Sequence, residues 1–211
     1  MSPPIADVAA AHQRLRQVLA ELTDDQVAQP SLLPGWTRGH VLAHLTDAAR
    51  ARSRVVERAL RGEVVAMWEP GERDAIIDAT ASRTAAEHRT AIAMHADRLE
   101  RAWAGVEDWS SFAPAVFTRL REVWIHLVDL DLGVRPAEWS VDLSCHTIDL
   151  LRQRLPDGVS LRATDVPRSW GTGAEVSGTV RDLAAWLADR IPDEWPTSAA
   201  PLPRLGPWPS Y

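Results

Sequence analysis

Two pairs of residues, each spaced by four, carry the chemistry that this sequence could do. His40 and His44 lie in LPGWTRGHVLAHL at 32–44, and Glu122 and His126 lie in REVWIHLVDLDLG at 121–133. Side chains four apart share one face of a helix, so each pair could offer two groups to one ligand. On the first helix Val41, Leu45, Ala48, Val55 and Ala59 form an inward stripe at the helical period. His44 falls at the edge of that stripe and His40 further round, which makes His44 the candidate for an inward group and His40 a rim residue. Taken alone, His44 would also suit a partly buried imidazole bonded to a backbone carbonyl. On the second helix Arg119, Glu122, His126 and Asp129 form a polar stripe through an apolar run, with Arg121 and Asp131 on a different side. That stripe reads equally as a solvent face with local ion pairs of about 0.2–0.5 kcal/mol each, or as an inward face. An inward carboxylate and imidazole need a cation or a full hydrogen-bond network. Asp129, one turn beyond His126, could orient a ligand, but reads on balance as a solvent-facing charge.

Taken together, His44, Glu122 and His126 are a two-histidine, one-carboxylate set. Three such ligands suit Zn²⁺ with its fourth position open, the arrangement of a catalytic rather than a structural site. Two imidazoles and one carboxylate also accept other divalent metals. The ligands come from distant segments, and no contiguous HExxH motif is present.

The elements that must position these groups follow from periodicity and punctuation. Residues 5–22 read as a helix through Ile5, Val8, Ala9, His12, Leu15, Leu19 and Leu22. After a loop broken by Pro30 and Pro34, Thr37 is an N-cap for a helix that runs to about Arg61 and stops at Gly62. Residues 72–106 read as one helix, and a fourth spans about Ala115 to Leu132, ended by Gly133 and Pro136. Four such helices with short connections predict an antiparallel bundle over 1–136. Beyond Pro136 the pattern becomes α+β, over 137–211. A short helix precedes strand-like GVSLRAT at 158–164; SWGTGAEVSG carries hairpin punctuation, with AEV as its second strand. Thr179 and Asp182 have the spacing of a helix cap. The proline-rich tail from Ile191 reads as extended and irregular.

Composition narrows the partners. A net charge of −6 argues against nucleic acid or an anionic membrane surface as the main partner. No apolar run is long enough for a membrane span, and the N-terminus lacks the pattern of a secretory signal. The single Cys145 excludes an intrachain disulfide and a cysteine-rich zinc site, and fits a reducing cytoplasm. His12, His88, His95 and His146 read as structural or surface residues.

The segments LPGWTRGHVLAHL, ERDAIIDATA, REVWIHLVDLDLG and VSGTVRDLAAWLADR, in that order and spacing, resemble the mycothiol-dependent maleylpyruvate isomerase family. The resemblance covers nearly the whole chain. It implies a DinB-like four-helix bundle followed by a small α+β domain. The family's metal ligands map to His44, Glu122 and His126, in agreement with the helical wheel. An arginine early in the third helical segment maps to Arg73. The arginine of the family's C-terminal WL-x-G-R motif maps to Arg190, with Asp189 standing where the family has glycine.

Further expectations follow from that resemblance. The cofactors would be a divalent metal, zinc foremost, and mycothiol, an external thiol that relieves Cys145 of any catalytic role. A metal keeps a thiol deprotonated at neutral pH. Reversible thiolate addition to an activated C=C bond allows rotation, so the expected reaction is cis–trans isomerisation of maleylpyruvate or a related unsaturated dicarboxylate. Arg73 and Arg190 would grip its carboxylates, as planar guanidinium groups do. Alternatives are a mycothiol S-transferase acting on another electrophile, or a non-catalytic DinB-like binding protein. Oligomeric state is not encoded in any of these motifs.

Overall fold

A computed structural model describes residues 3–209. Among them are eight α-helices and four short strands. The chain divides into two compact units, Met1–Leu132 and Gly133–Tyr211. The division follows the last helix of the first unit, where Asp131 and Gly133 both take left-handed backbone (φ 52° and 88°). No helix among the described residues is long and apolar enough to cross a membrane.

The first unit contains α1 (Ile5–Leu19), α2 (Asp24–Ala28), α3 (Arg38–Ala59), α4 (Glu72–Thr80), α5 (Ala85–Ala104) and α6 (Ala113–Asp129). α3 packs on α5 and α6, and α1 packs on the same two helices. Their apolar faces meet through fully buried Leu15 and Leu19, Leu42 and Leu45, Leu99 and Trp103, and Val123 and Leu127. α3 starts as its sequence predicts. The Thr37 hydroxyl accepts from the His40 amide, and His40 Nδ1 accepts in return from the Thr37 amide at 3.2 Å. His40 is thus consumed by the helix cap, which is a physical reason for two histidines four apart with only one turned inward.

Two expectations for this unit are corrected. Residues 72–106 are two helices, not one. The break at 81–84 arises because Thr84 caps α5, with Glu87 closing the reciprocal bonds to its hydroxyl and amide. A cap needs extended backbone at Thr84 (ψ 158°), which interrupts the helical path. The break also packs close to α3: a Cβ on Gly39 would stand 2.0 Å from the Ala81 carbonyl oxygen. The first helix ends at Leu19, and Thr23 and Gln26 cap the short α2 that follows it.

The second unit contains α7 (Val141–Leu151), β1 (Val159–Ala163), β2 (Ser169–Trp170), β3 (Ala174–Gly178), α8 (Val180–Leu187) and β4 (Thr197–Ser198). The sheet order is β2-β1-β3-β4. The expected SWGTGAEVSG hairpin does not form. β3 instead runs parallel to β1, and β2 is the antiparallel partner of β1. Gly171 and Gly173 (φ 74° and 126°) carry the chain past the edge of β1. A Cβ at Gly173 would lie 2.0 Å from the Gly158 oxygen, so only glycine lets the Ala174 amide donate to that oxygen at 2.7 Å. The tail is less irregular than its prolines suggest. It supplies β4, antiparallel to β3, and Gly206 exchanges bonds with the backbone oxygen and guanidinium of Arg154.

Candidate metal centre

α3, α4 and α6 bring four of the five candidate residues together. His44 Nε2 lies 3.5 Å from Glu122 Oε1. The imidazoles of His44 and His126 meet edge to face, 4.8 Å between ring centres. Arg73, in the first turn of α4, places Nη2 3.5 Å from His44 Nδ1. Trp36, in the loop before α3, tilts over His44 at 5.9 Å. The α6 polar stripe therefore turns inward. Glu122 and His126 have side chains only 12% and 16% exposed.

Asp129 overturns its reading as a solvent-facing charge. It is 1% exposed, and its Oδ2 lies 2.8 Å from His126 Nδ1. An ionised carboxylate can only accept, so Nδ1 donates to it and the ring is held with Nε2 turned away from Asp129. This carboxylate–histidine pairing is the usual orienting partner of a metal-ligating histidine.

Charge balance keeps the other two groups in ligating form. Burial foremost, then the neighbouring His126, holds His44 down to about 3, so its imidazole is neutral at neutral pH. Burial works against ionisation of Glu122, but Arg52, His44 and Arg119 outweigh it and hold the carboxyl well below its usual range. Arg52 Nη1 and Arg119 Nη1 donate to Oε2 at 2.8 and 2.9 Å, and Arg52 Nη2 reaches Oε1 at 3.3 Å.

Two features fit a divalent cation. Two ligands about 2.0–2.2 Å from a tetrahedral zinc ion stand about 3.4 Å apart, and the His44–Glu122 separation of 3.5 Å matches that edge better than a good hydrogen bond. The donor set, two imidazoles and a carboxylate, is of the type that zinc accepts. Among the described residues no group of three or more His, Cys, Asp or Glu side chains is placed to hold a metal ion. The groups are neighbours around a site, not a closed cage.

Arg190 belongs to the second unit, just beyond α8. Its Nη1 donates to the Ala188 oxygen at 2.5 Å and its guanidinium lies 5.8 Å from the Trp208 ring. Asp189, where the resemblance has glycine, takes the left-handed conformation glycine would take (φ 55°). Arg154 Nη2 donates to its carboxylate at 2.6 Å. Cys145 is free and buried, and burial raises its thiol above the ordinary value.

The sequence reading missed Arg52, and read His12 only as structural or surface without its partners. Arg52 sits on the inward stripe of α3, four residues after Ala48, where an arginine without a partner would be costly. His12 sits on the apolar stripe of α1 and is fully buried. It bonds to Arg119 and to Glu100. Each signal was a polar residue at a core position.

Comparison with known proteins adds the family. The mycothiol maleylpyruvate isomerase N-terminal domain matches residues 8–131, more than half of the chain. None of the curated proteins matches it. Two solved structures share the fold: one described as the mycothiol-dependent maleylpyruvate isomerase, and one as a histidine-to-alanine mutant of it. Each superposes with a TM-score of 0.86 at 22% identity, covering 97% of this chain and 95% of the other. With the domain match spanning all of α3 to α6, the chain belongs to the mycothiol maleylpyruvate isomerase family.

Proposed function

We propose that this protein is a metal- and mycothiol-dependent isomerase of an unsaturated dicarboxylate such as maleylpyruvate. The first unit is read as a DinB-like antiparallel four-helix bundle, supported by the packing of α1 and α3 each against α5 and α6. One observation carries the functional reading: His44 from α3 stands 3.5 Å from Glu122 and ring to ring with His126, both from α6. His44 Nε2, Glu122 Oε1 and His126 Nε2 would hold the cation. A bound zinc ion supplies a positive centre that keeps an incoming thiol as thiolate at neutral pH.

The chain's own groups do the rest. Asp129 orients the ring of His126 through its bond at Nδ1. Trp36 covers His44 on the loop side and limits water there. Arg73, with 40% of its side chain exposed beside His44, is placed to accept a substrate carboxylate in a bidentate grip. Arg190 is the second carboxylate partner in this reading, supported by its place in the family's C-terminal motif and by glycine-like backbone at Asp189.

The test combines metal analysis with product analysis. The purified protein should carry about one zinc per chain, bind mycothiol, and return the trans isomer with the thiol recycled. His126→Ala should lose stoichiometric metal and thiol-dependent turnover while its circular dichroism stays helical. Unchanged metal content in that variant ends the assignment, and a stable thiol conjugate as product would make the protein an S-transferase instead.

A further inference from the structure

The buried polar groups around Glu122 form a continuous chain that reaches all four long helices. Glu100 on α5 accepts from His12 Nδ1 at 2.7 Å. Arg119 on α6 donates from Nε to His12 Nε2 at 3.0 Å. Its Nη1 then donates to the Leu45 oxygen at 3.0 Å and to Glu122 Oε2 at 2.9 Å. Directions are fixed by chemistry. A guanidinium has no acceptor, so His12 Nε2 must accept and Nδ1 must carry the proton that goes to Glu100. His12 and Arg119 are 0% and 1% exposed, so neither has room for another arrangement.

The two oxygens of Glu122 are treated differently by this array. Oε2 has two short guanidinium bonds, from Arg119 and from Arg52 on α3. Oε1 has only the longer contact from Arg52 and faces His44 Nε2. We propose that Arg119 and Arg52 are positioning residues that make Glu122 a one-oxygen ligand, occupying Oε2 and leaving Oε1 turned towards His44. Glu100 and His12 act one step further out by orienting Arg119. A carboxylate free to rotate could offer both oxygens to a cation and fill the position that an incoming thiol needs. The inference rests on the reading of His44, Glu122 and His126 as ligands.

Cobalt(II) substituted into the full-length protein reads the coordination number directly, through the strong visible bands of the four-coordinate ion. Arg52→Met removes one guanidinium from Oε2. Arg119→Lys keeps the charge but cannot fork to His12, Leu45 and Glu122 together. Each variant leaves Oε2 with one guanidinium instead of two, which lets the carboxylate turn and offer both oxygens, so both should take up cobalt with weakened visible bands and with helical circular dichroism retained. Should Arg119→Lys fail to fold, Arg52→Met alone decides. Wild-type bands in folded, cobalt-loaded Arg52→Met overturn the positioning role while leaving the ligand assignment intact. Failure of the wild-type protein to bind cobalt at all overturns the ligand assignment itself.

Discussion

Asp129→Ala isolates the role of the buried carboxylate behind His126. The substitution removes the 2.8 Å bond to Nδ1 and leaves that N–H without its partner. The backbone bond from the Leu32 amide to the Asp129 oxygen, at 2.9 Å, survives because it needs no side chain. A hydrogen bond to a charged group contributes about 1.5–3 kcal/mol. His126 keeps 16% exposure, so water recovers part of the loss and about 1–2 kcal/mol is expected. For a chain of this size each kcal/mol moves the melting temperature by about 2–4 °C. A melt in chelator should therefore fall by about 2–8 °C. A second loss appears only with metal present, because an imidazole that has lost its orienting partner binds about 10–100-fold more weakly. The assay is a pair of melts, one in chelator and one in saturating zinc, with the zinc Kd from chelator competition. A lower melt in chelator with an unchanged Kd would make Asp129 a structural residue only. Wild-type values in both would refute the reasoning from burial altogether.

Other expectations follow from the same structure. Gly39→Ala would drive a methyl group to 2.0 Å from the Ala81 oxygen, forcing α3 and the end of α4 apart; a stability loss of about 1–3 kcal/mol is expected by urea unfolding, and a wild-type midpoint would refute the contact. Arg73→Ala should leave zinc content unchanged and lower kcat/KM by about 10–150-fold, the worth of one charged hydrogen-bonded grip; unaltered kinetics would remove Arg73 from the substrate. Burial holds His12 down to about 4 from 6.5, so the unfolded chain binds a proton there before the native protein does. The stability His12 contributes is thus fully present above pH 6.5 and is lost as pH falls through 4, by about 3 kcal/mol at 1.36 kcal/mol per unit. Urea unfolding of the metal-free protein across pH 7 to 4 checks this, and His12→Gln should flatten the slope.

The sequence made α3 and α6 legible because their signals are local. Thr37 marks the start of α3 by its own hydroxyl, and Glu122 and His126 share a face by spacing alone. What the stripe on α6 faces was not legible, since its polarity suits water and a cation site equally. The partners that decide it, Arg52 and His12, lie on α3 and α1, and a wheel drawn for one helix cannot see them. Asp129 was misread for the same reason: its partner His126 would bond to it in either environment. In the second unit the error came from β3. Its residues read correctly as a strand, but pairing is non-local, and the glycines taken for a hairpin turn carry the chain across to a parallel position beside β1.

The distribution of buried charge bears on why the first unit keeps a polar interior. Arg52, Arg119, Glu122 and Asp129 are all largely withdrawn from water, together with His12 and His44. Apolar residues of similar volume would serve stability as well or better, since buried ion pairs often fail to repay their desolvation. The groups are also not balanced among themselves around Glu122. Two guanidinium groups meet one carboxylate, and both concentrate on Oε2. The second guanidinium holds Oε2 as well, so Oε1 is the oxygen left facing His44. An arrangement that is asymmetric about one carboxylate, and that apolar residues could replace without loss of stability, points to a role other than folding.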